Sequence, residues 1–213
     1  MDGNHQRNEG DQSMPGDIYF QLRSLLNDLR SEIVTMDGNE VPKSLRFLEE
    51  LLAKETEPSN RFDIFMLLRD ECLRGGYLKQ EIRYARECAQ ESTEPLPWIG
   101  LADLLGTNAS TLSDAVVAAT EAVRLARERN SFYRHSLCSL GRALWRNSCY
   151  LEVAQVVEEL LKDADQIREE EGPFDVDFVV DLPANAIDRS LRQEYLKLAE
   201  ASRSNCPGRG NGV

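Results

Sequence analysis

Apolar residues recur along most of this chain at intervals of three and four positions, the period of an α-helix. The first stripe predicts a helix with one apolar face, made of Ile18, Leu22, Leu25, Leu26, Leu29 and Ile33. Asp37-Gly38 ends this helix, and Pro42 lies in the first turn of the next one. The second stripe consists of Leu45, Leu48, Leu51 and Leu52. These two stripes predict an N-terminal helix pair over residues 17–56.

Further helices are predicted between Arg61 and Gln166, each separated from the next by a short break. The breaks are Gly75-Gly76, Pro95 with Pro97, the loop 106–110, and Asn147-Ser148. Thr111 and Asp114 have the spacing of a capping box, in which both side chains satisfy backbone N–H groups at a helix start. Helices of this length are marginal alone, and short connections make neighbours antiparallel. The pattern therefore predicts stacked helix pairs.

The segment 172–183 departs from the helical period. The apolar residues Phe174, Val176, Phe178, Val180 and Leu182 alternate in it with Asp175, Asp177, Val179 and Asp181, as in a β-strand. One interpretation is an extended linker, which the two phenylalanines hold in place before a last helix over residues 185–203. The other is a self-binding segment that lies in a groove of its own or a neighbouring subunit, with its aspartates against Arg142 and Arg146.

Charge and hydropathy narrow the class of partner. The net charge is −12, and the excess of acidic residues lies in residues 1–60 and 151–213. This distribution disfavours nucleic acid, because binding to DNA or RNA normally rests on a basic field. No apolar run reaches the roughly 20 residues that span a bilayer, and the N-terminus has no apolar core of a signal peptide. We therefore predict a cytoplasmic protein that binds no membrane, with disordered polar tails at 1–16 and 204–213.

Residues that could carry chemistry form no recognised pattern. The five cysteines are odd in number and include no C-x-x-C pair, so free thiols are expected. The chain has no phosphate loop, no H-E-x-x-H and no G-x-S-x-G. We predict that the protein is not an enzyme and uses no cofactor and no metal.

Three stretches between Arg61 and Gln166 resemble degenerate tetratricopeptide repeats. The last has Leu140-Gly141 followed by Tyr150, Val153, Val157 and Leu160. The middle one has Trp98, Leu101-Ala102, Ala115, Ala119 and Ala122, and the earliest keeps Leu67-Leu68 and Gly76-Tyr77. The leading leucines of the three stretches are 34 and 39 residues apart.

The resemblance implies an all-α fold, a right-handed solenoid of antiparallel helix pairs with a C-terminal capping helix. It divides a helical domain over residues 17–203 into the N-terminal pair at 17–56, three repeat-like pairs at 61–166, the extended segment at 172–183 and the cap at 185–203.

The resemblance also implies a function, because the first helices of tetratricopeptide pairs line a concave groove that binds a peptide or helix. Carried over to this chain, the groove residues would be Arg69, His135, Cys138, Arg142 and Arg146. Arginine forks suit carboxylates, so the expected partner is another protein or peptide, and an acidic one fits. The other interpretation of these positions is a solvated helix face whose arginines pair with nearby glutamates. The alternative function is a homo-oligomeric scaffold, such as a homodimer, that self-associates through its helical faces and residues 172–183.

Overall fold

The computed structural model describes residues 17–36, 39–163, 179, 185 and 187–204. The chain divides into two compact units, Met1–Tyr84 and Ala85–Val213. The elements of the first unit are α1 (Asp17–Leu29), β1 (Ile33–Met36), β2 (Asn39–Pro42), α2 (Lys43–Leu52), α3 (Pro58–Gly75) and the first half of α4 (Leu78–Glu91). The second unit has the rest of α4, then α5 (Pro95–Leu105), a 3-10 turn (Ala109–Thr111), α6 (Leu112–Arg129), α7 (Tyr133–Arg146), α8 (Tyr150–Lys162) and α9 (Arg189–Ser204).

The start of the chain differs from the helix predicted through Ile33. The helix α1 ends at Leu29, and Ile33 begins a strand that pairs with β2 in an antiparallel hairpin. Ile33, Val34 and Thr35 are β-branched and favour extended backbone, and Asp37-Gly38 is a hairpin sequence as well as a helix stop. The apolar spacing alone could not separate these outcomes, because Ile33 continues the helical stripe.

Leucine and aromatic side chains on α1, α2 and α3 form the core of the first unit. Fully buried members are Leu26, Leu45, Leu48, Ile64 and Leu68. Glu71 is also buried in this core, where Arg30 donates from Nε to both of its carboxylate oxygens at 2.9 and 3.0 Å. The Ser44 hydroxyl donates to Glu71 Oε2 at 2.8 Å. One carboxylate therefore joins the end of α1 and the start of α2 to α3.

Small residues on α6 let the helices of the second unit approach closely. Ala115, Ala118, Ala119, Ala122 and Ala126 are all buried, and α6 packs against both α5 and α7. Ile187, just before α9, and Tyr195 and Ala199 of α9 are buried in one cluster with Val153 and Val157 of α8.

The predicted capping box does not form at the start of α6. Thr111 precedes this helix but its side chain makes no capping hydrogen bond to it. The hydroxyl instead donates to the carbonyl oxygens of Leu105 at 2.5 Å and Asn108 at 3.0 Å. Thr111 therefore gives the carbonyl group of Leu105, at the end of α5, a further hydrogen bond, since the last carbonyl groups of a helix have no partner within it.

The end of α7 has a left-handed residue that is not glycine. Ser148 has φ of 62°, its N–H donates to Trp145 O at 2.8 Å, and the N–H of Cys149 donates to Leu144 O at 2.9 Å. This is the Schellman pattern, and α3 ends in the same way at Gly76, with φ of 70°. For a residue with a side chain, this conformation lowers the stability of the folded state by about 1–2 kcal/mol. Glycine avoids that cost, but its greater freedom in the unfolded chain offsets part of the gain.

We therefore expect Ser148→Gly to raise the free energy of unfolding by about 0.5–1 kcal/mol. Urea unfolding followed by circular dichroism measures this change. Ser148→Ala is the control, because it removes the same hydroxyl without relieving the backbone. Equal stabilities of the two variants would contradict the assignment of strain to this residue.

Candidate functional site

The first helices of the two pairs in the second unit, α5 and α7, pack against each other. Residues seven apart in a helix lie on the same side, which places Leu96 with Asp103 on α5 and His135 with Arg142 on α7. Arg146 follows one turn after Arg142 on the same side of α7. We call this surface the α5–α7 face and define it by Leu96, Asp103, His135, Arg142 and Arg146.

Asp103 is the polar centre of the α5–α7 face. Ser139 Oγ donates to Asp103 Oδ1 at 3.0 Å, and Arg142 Nη1 lies 3.8 Å from the same oxygen. The side chain of Asp103 remains 48% exposed and that of Arg142 30% exposed. An exposed pair at this distance contributes only about 0–1 kcal/mol, so solvent or a ligand can replace it.

Arg146 lies at the C-terminal end of α5. Arg146 is exposed, and a Cβ atom at Gly106 would lie 2.8 Å from Arg146 Nη1. The absence of a side chain at Gly106 thus lets the guanidinium approach the helix end, where the helix dipole favours a cation. Among the described residues, none forms an ion pair with Arg146.

Two other predicted groove residues of α7 have opposite environments. His135 is exposed on the α5–α7 face. Cys138 is only 3% exposed, and its sulfur lies 3.9 Å from the Tyr195 hydroxyl oxygen of α9. The spacing of three positions rotates Cys138 away from His135 toward the core, and α9 covers it. The structure therefore brings His135, Arg142 and Arg146 to one open face and places Cys138 beneath it.

Arg69, the remaining predicted groove residue, belongs to the first unit and is half-buried on α3. Its Nη1 lies 3.8 Å from the sulfur of Met66, and its buried Nε has no hydrogen-bond partner in the part of the chain that the structure describes. Burial raises the pKa of Glu81 on α4, and the positive charge of Arg69 partly offsets that shift. This arginine thus lies beside a buried carboxyl group within its own helix pair.

The predicted self-binding residues lie outside the described residues: Phe174, Asp175, Asp177, Phe178 and Asp181. Val179 is the one described residue between 172 and 183. It is fully buried in the cluster that contains Leu137 and Tyr195, and its backbone is helical rather than extended. The extended conformation predicted from the alternating pattern is therefore wrong at Val179, because burial in the tertiary structure overrides a short alternating pattern.

A set of ion pairs that was not predicted from the sequence joins the second helices of successive pairs. In the first unit, Arg83 of α4 pairs with Glu49 of α2. In the second unit, Arg86 of α4 pairs with Asp114 of α6 at 2.5 Å, and Arg127 of α6 pairs with Glu159 of α8 at 2.5 Å. The partners are 34, 28 and 32 residues apart, near the length of one repeat. The signal in the sequence that could have predicted these pairs is the presence of opposite charges about one repeat length apart.

Two of these pairs contain a tyrosine. The Arg83 guanidinium lies 4.6 Å from the ring centre of Tyr84, and that of Arg127 lies 5.6 Å from the ring centre of Tyr133. The hydroxyl group of each tyrosine donates to the paired glutamate. Burial acts to raise the pKa of Glu159, but hydrogen bonds from Tyr133 and Arg127 hold it below its usual value.

A groove of about 520 Å³ lies between α6, α7 and α8. Apolar side chains of Val123, Leu137 and Leu140 contribute to its lining, and the charged residues around them are Glu121, Arg124, Arg127, Glu128 and Glu159. These charges pair with one another: Arg124 with Glu121 and Glu128, and Arg127 with Glu159. The charges around this groove are therefore matched by close ion pairs of 2.5 Å, whereas the Asp103–Arg142 pair of the α5–α7 face is 3.8 Å long.

No protein-family model matches the sequence, and a search of curated proteins finds no match. Among solved structures, the chain matches the crystal structure of nearly identical TPR-like repeats ascribed to a kinesin light chain of Podosopora anserina. The TM-score is 0.58 at 15% sequence identity, and the match covers 92% of this chain and 100% of the other. The chain has a tetratricopeptide-like helical-repeat fold. At this identity the likeness shows the fold alone, and the predicted all-α helical-repeat class is confirmed.

In this tetratricopeptide-like fold, α5 and α7 are the first helices of their pairs, and α6 and α8 are the second helices. The α5–α7 face therefore corresponds to the position predicted for the groove side. Within the described residues, no group of three or more His, Cys, Asp or Glu residues could hold a metal ion. None of the described helices combines the length and the hydropathy needed to cross a membrane.

Proposed function

We propose that this protein is a protein–protein interaction module whose α5–α7 face binds a carboxylate-bearing segment of another protein. The observation that carries the proposal is the weak Asp103–Arg142 pair, 3.8 Å long, beside the exposed Arg146. The charges on the second helices pair across neighbouring helices, whereas this face keeps exchangeable polar groups. A tetratricopeptide-like fold supports a role in binding proteins.

The ligand's carboxylate would replace Asp103 as the partner of Arg142. A guanidinium donates two parallel hydrogen bonds to a well-placed carboxylate, and charge-assisted bonds of this kind contribute about 1.5–3 kcal/mol. Arg146 lies one helical turn further along and extends the positive region. The ligand then bridges two cations, while Asp103 keeps its hydrogen bond from Ser139 Oγ.

Two features limit how acidic the ligand can be. Asp103 places a negative charge on the face itself, and the chain as a whole has a net charge of −12, which opposes the approach of a strongly acidic partner. Leu96 of α5 is 46% exposed on the same side and offers an apolar contact. A segment with one carboxylate, such as a chain terminus, next to apolar residues fits better than an acidic run.

Reversing the charge of both arginines is expected to abolish capture of the partner. With Arg142→Glu and Arg146→Glu together, at least two charge-assisted bonds become repulsive, so affinity should fall well over tenfold. Immobilised wild-type and variant chains are incubated with lysate of the source cells, and captured proteins are quantified by mass spectrometry. Arg189→Glu with Lys197→Glu is the matched control, because it makes the same change in charge on α9.

Asp103→Asn is expected to change capture of the partner in the opposite direction. It removes the carboxylate that competes with the ligand, so capture of the same proteins should increase. Opposite effects of the two changes cannot arise from loss of folding. Equal capture by wild type and the Arg142→Glu, Arg146→Glu variant would refute the assignment of this face.

A further inference from the structure

The hydrogen-bond register of the hairpin determines which backbone groups of β1 point away from β2. The strands pair with Ile33 opposite Pro42 and Thr35 opposite Glu40. The N–H of Lys43 donates to Glu32 O at 2.7 Å, so residues 32 and 43 form a hydrogen-bonded pair. Bonded and non-bonded pairs alternate in antiparallel strands. The N–H and C=O groups of Ile33 and Thr35 therefore point outward.

This outward side of β1 is an open edge. None of the described residues forms a hydrogen bond with the outward backbone groups of Ile33 or Thr35. Ile33 is 58% exposed and Thr35 is exposed as well. An edge of this kind is a template for another strand, and proteins usually block it with proline or charge.

The opposite edge of the hairpin carries both blocking features. On β2 the outward residues are Glu40, which is charged, and Pro42, which has no N–H to donate. The strand β1, Ile33 to Met36, contains no charge and no proline. The two edges thus differ in the features that prevent strand addition, and β1 lacks them.

We propose that a second copy of this chain adds its own β1 antiparallel to this edge, forming a four-stranded sheet across a two-fold axis. The outward groups belong to residues two positions apart. A copy placed with Ile33 opposite Thr35 of the second copy, and Val34 at the axis, therefore pairs every outward N–H with a C=O. The edge is complementary to itself.

The side chains next to this edge are compatible with a second copy, and the net charge of −12 on each chain makes the association stronger at high salt. In this register Glu32 lies opposite Met36 of the second copy, so no like charges meet, and Glu32 already pairs with Lys43 of its own chain at 2.6 Å. Pairing places Thr35 of the second copy beside the exposed side chain of Ile33 and reduces its exposure. Because the strand has four residues, the interface is small and the dimer dissociates on dilution. This surface differs from the helical faces and the segment 172–183 that the sequence suggested for self-association.

Sedimentation velocity on the full chain, from low to high protein concentration, tests the proposal. The wild-type mass should rise toward that of a dimer. Thr35→Pro removes an outward N–H and places a ring in the path of the second strand, while the bonded pairs Val34–Val41 and Met36–Asn39 remain. We expect this variant to dimerise at least tenfold more weakly. Glu40→Pro makes the same substitution on the other edge and should dimerise as the wild type does.

Ile33→Lys is a second variant that leaves the backbone bonds unchanged and places a charge on the edge, where it should also weaken the dimer. It decides the outcome if circular dichroism shows that Thr35→Pro does not fold. A wild-type chain that stays monomeric at every concentration overturns the proposal, as does equal dimerisation of the wild type and both β1 variants. Arg142→Glu with Arg146→Glu should not change the dimer, so this test is independent of ligand capture on the α5–α7 face.

Discussion

Glu71→Ala is expected to lower the free energy of unfolding by about 3–5 kcal/mol, the range for breaking a buried ion pair. Glu71 has a side chain only 3% exposed and accepts hydrogen bonds from Arg30 and Ser44. Its loss leaves the fully buried Ser44 hydroxyl without this acceptor and Arg30 without its counter-charge. Because Arg30 directly follows α1 and Ser44 lies in the first turn of α2, the attachment of both helices to α3 weakens together.

Urea unfolding and amide hydrogen exchange measure this effect. Exchange should accelerate in α1, α2 and α3, which share the carboxylate. Glu50→Ala is the matched control, since Glu50 pairs with Arg46 on the exposed side of α2, and such pairs contribute about 0.3–0.5 kcal/mol. A loss of less than about 1 kcal/mol for Glu71→Ala would show that the buried network does not hold these helices.

Tyr195→Ala is expected to lower the free energy of unfolding by about 3–5 kcal/mol, the usual cost of truncating a buried aromatic residue. Tyr195 is fully buried on α9 and shares a cluster with Cys138 of α7 and Val157 of α8. The cavity left by the ring borders all three helices. A solenoid needs its terminal apolar face covered, so detaching α9 exposes that face.

The expected consequence is faster amide exchange in α7, α8 and α9, together with binding of an apolar dye. Tyr195→Phe keeps the ring and removes only the hydroxyl, so its cost should stay near 0.5–1.5 kcal/mol. Glu194→Ala changes an exposed neighbour on α9 and should have almost no effect. Unchanged exchange in α7 and α8 after Tyr195→Ala would mean that α9 does not protect these helices.

Part of the candidate site could be predicted from spacing. His135, Arg142 and Arg146 recur near whole turns of a helix, and the structure places them on one side of α7. Cys138 shows the limit of this reasoning, because a position 60° away on the helix can belong to the face or to the core. Only the packing of Tyr195 against Cys138 decides between them.

The partner of Arg142 could be related to it only through the repeat register. Asp103 lies 39 residues earlier on another helix, the same interval that separates Leu101 from Leu140, but this spacing does not give the length or exposure of the pair. The sequence left open whether the arginines are available or pair with acidic residues. The structure shows an intermediate case, in which Arg142 has a long and partly exposed pair and Arg146 lies against a helix end.

The sequence by itself determined the helical-repeat class, because short amphipathic helices separated by glycine, proline and asparagine can bury their stripes only against one another. Helical periodicity and breakers are local properties, so a single chain reveals them. The tertiary structure alone decided that Ile33 joins a strand, that Thr111 caps the helix before it, and that Glu71 is buried. Each of these outcomes depends on a partner distant in sequence or on a competition between two local conformations of similar energy. Such contacts appear only when the chain is folded.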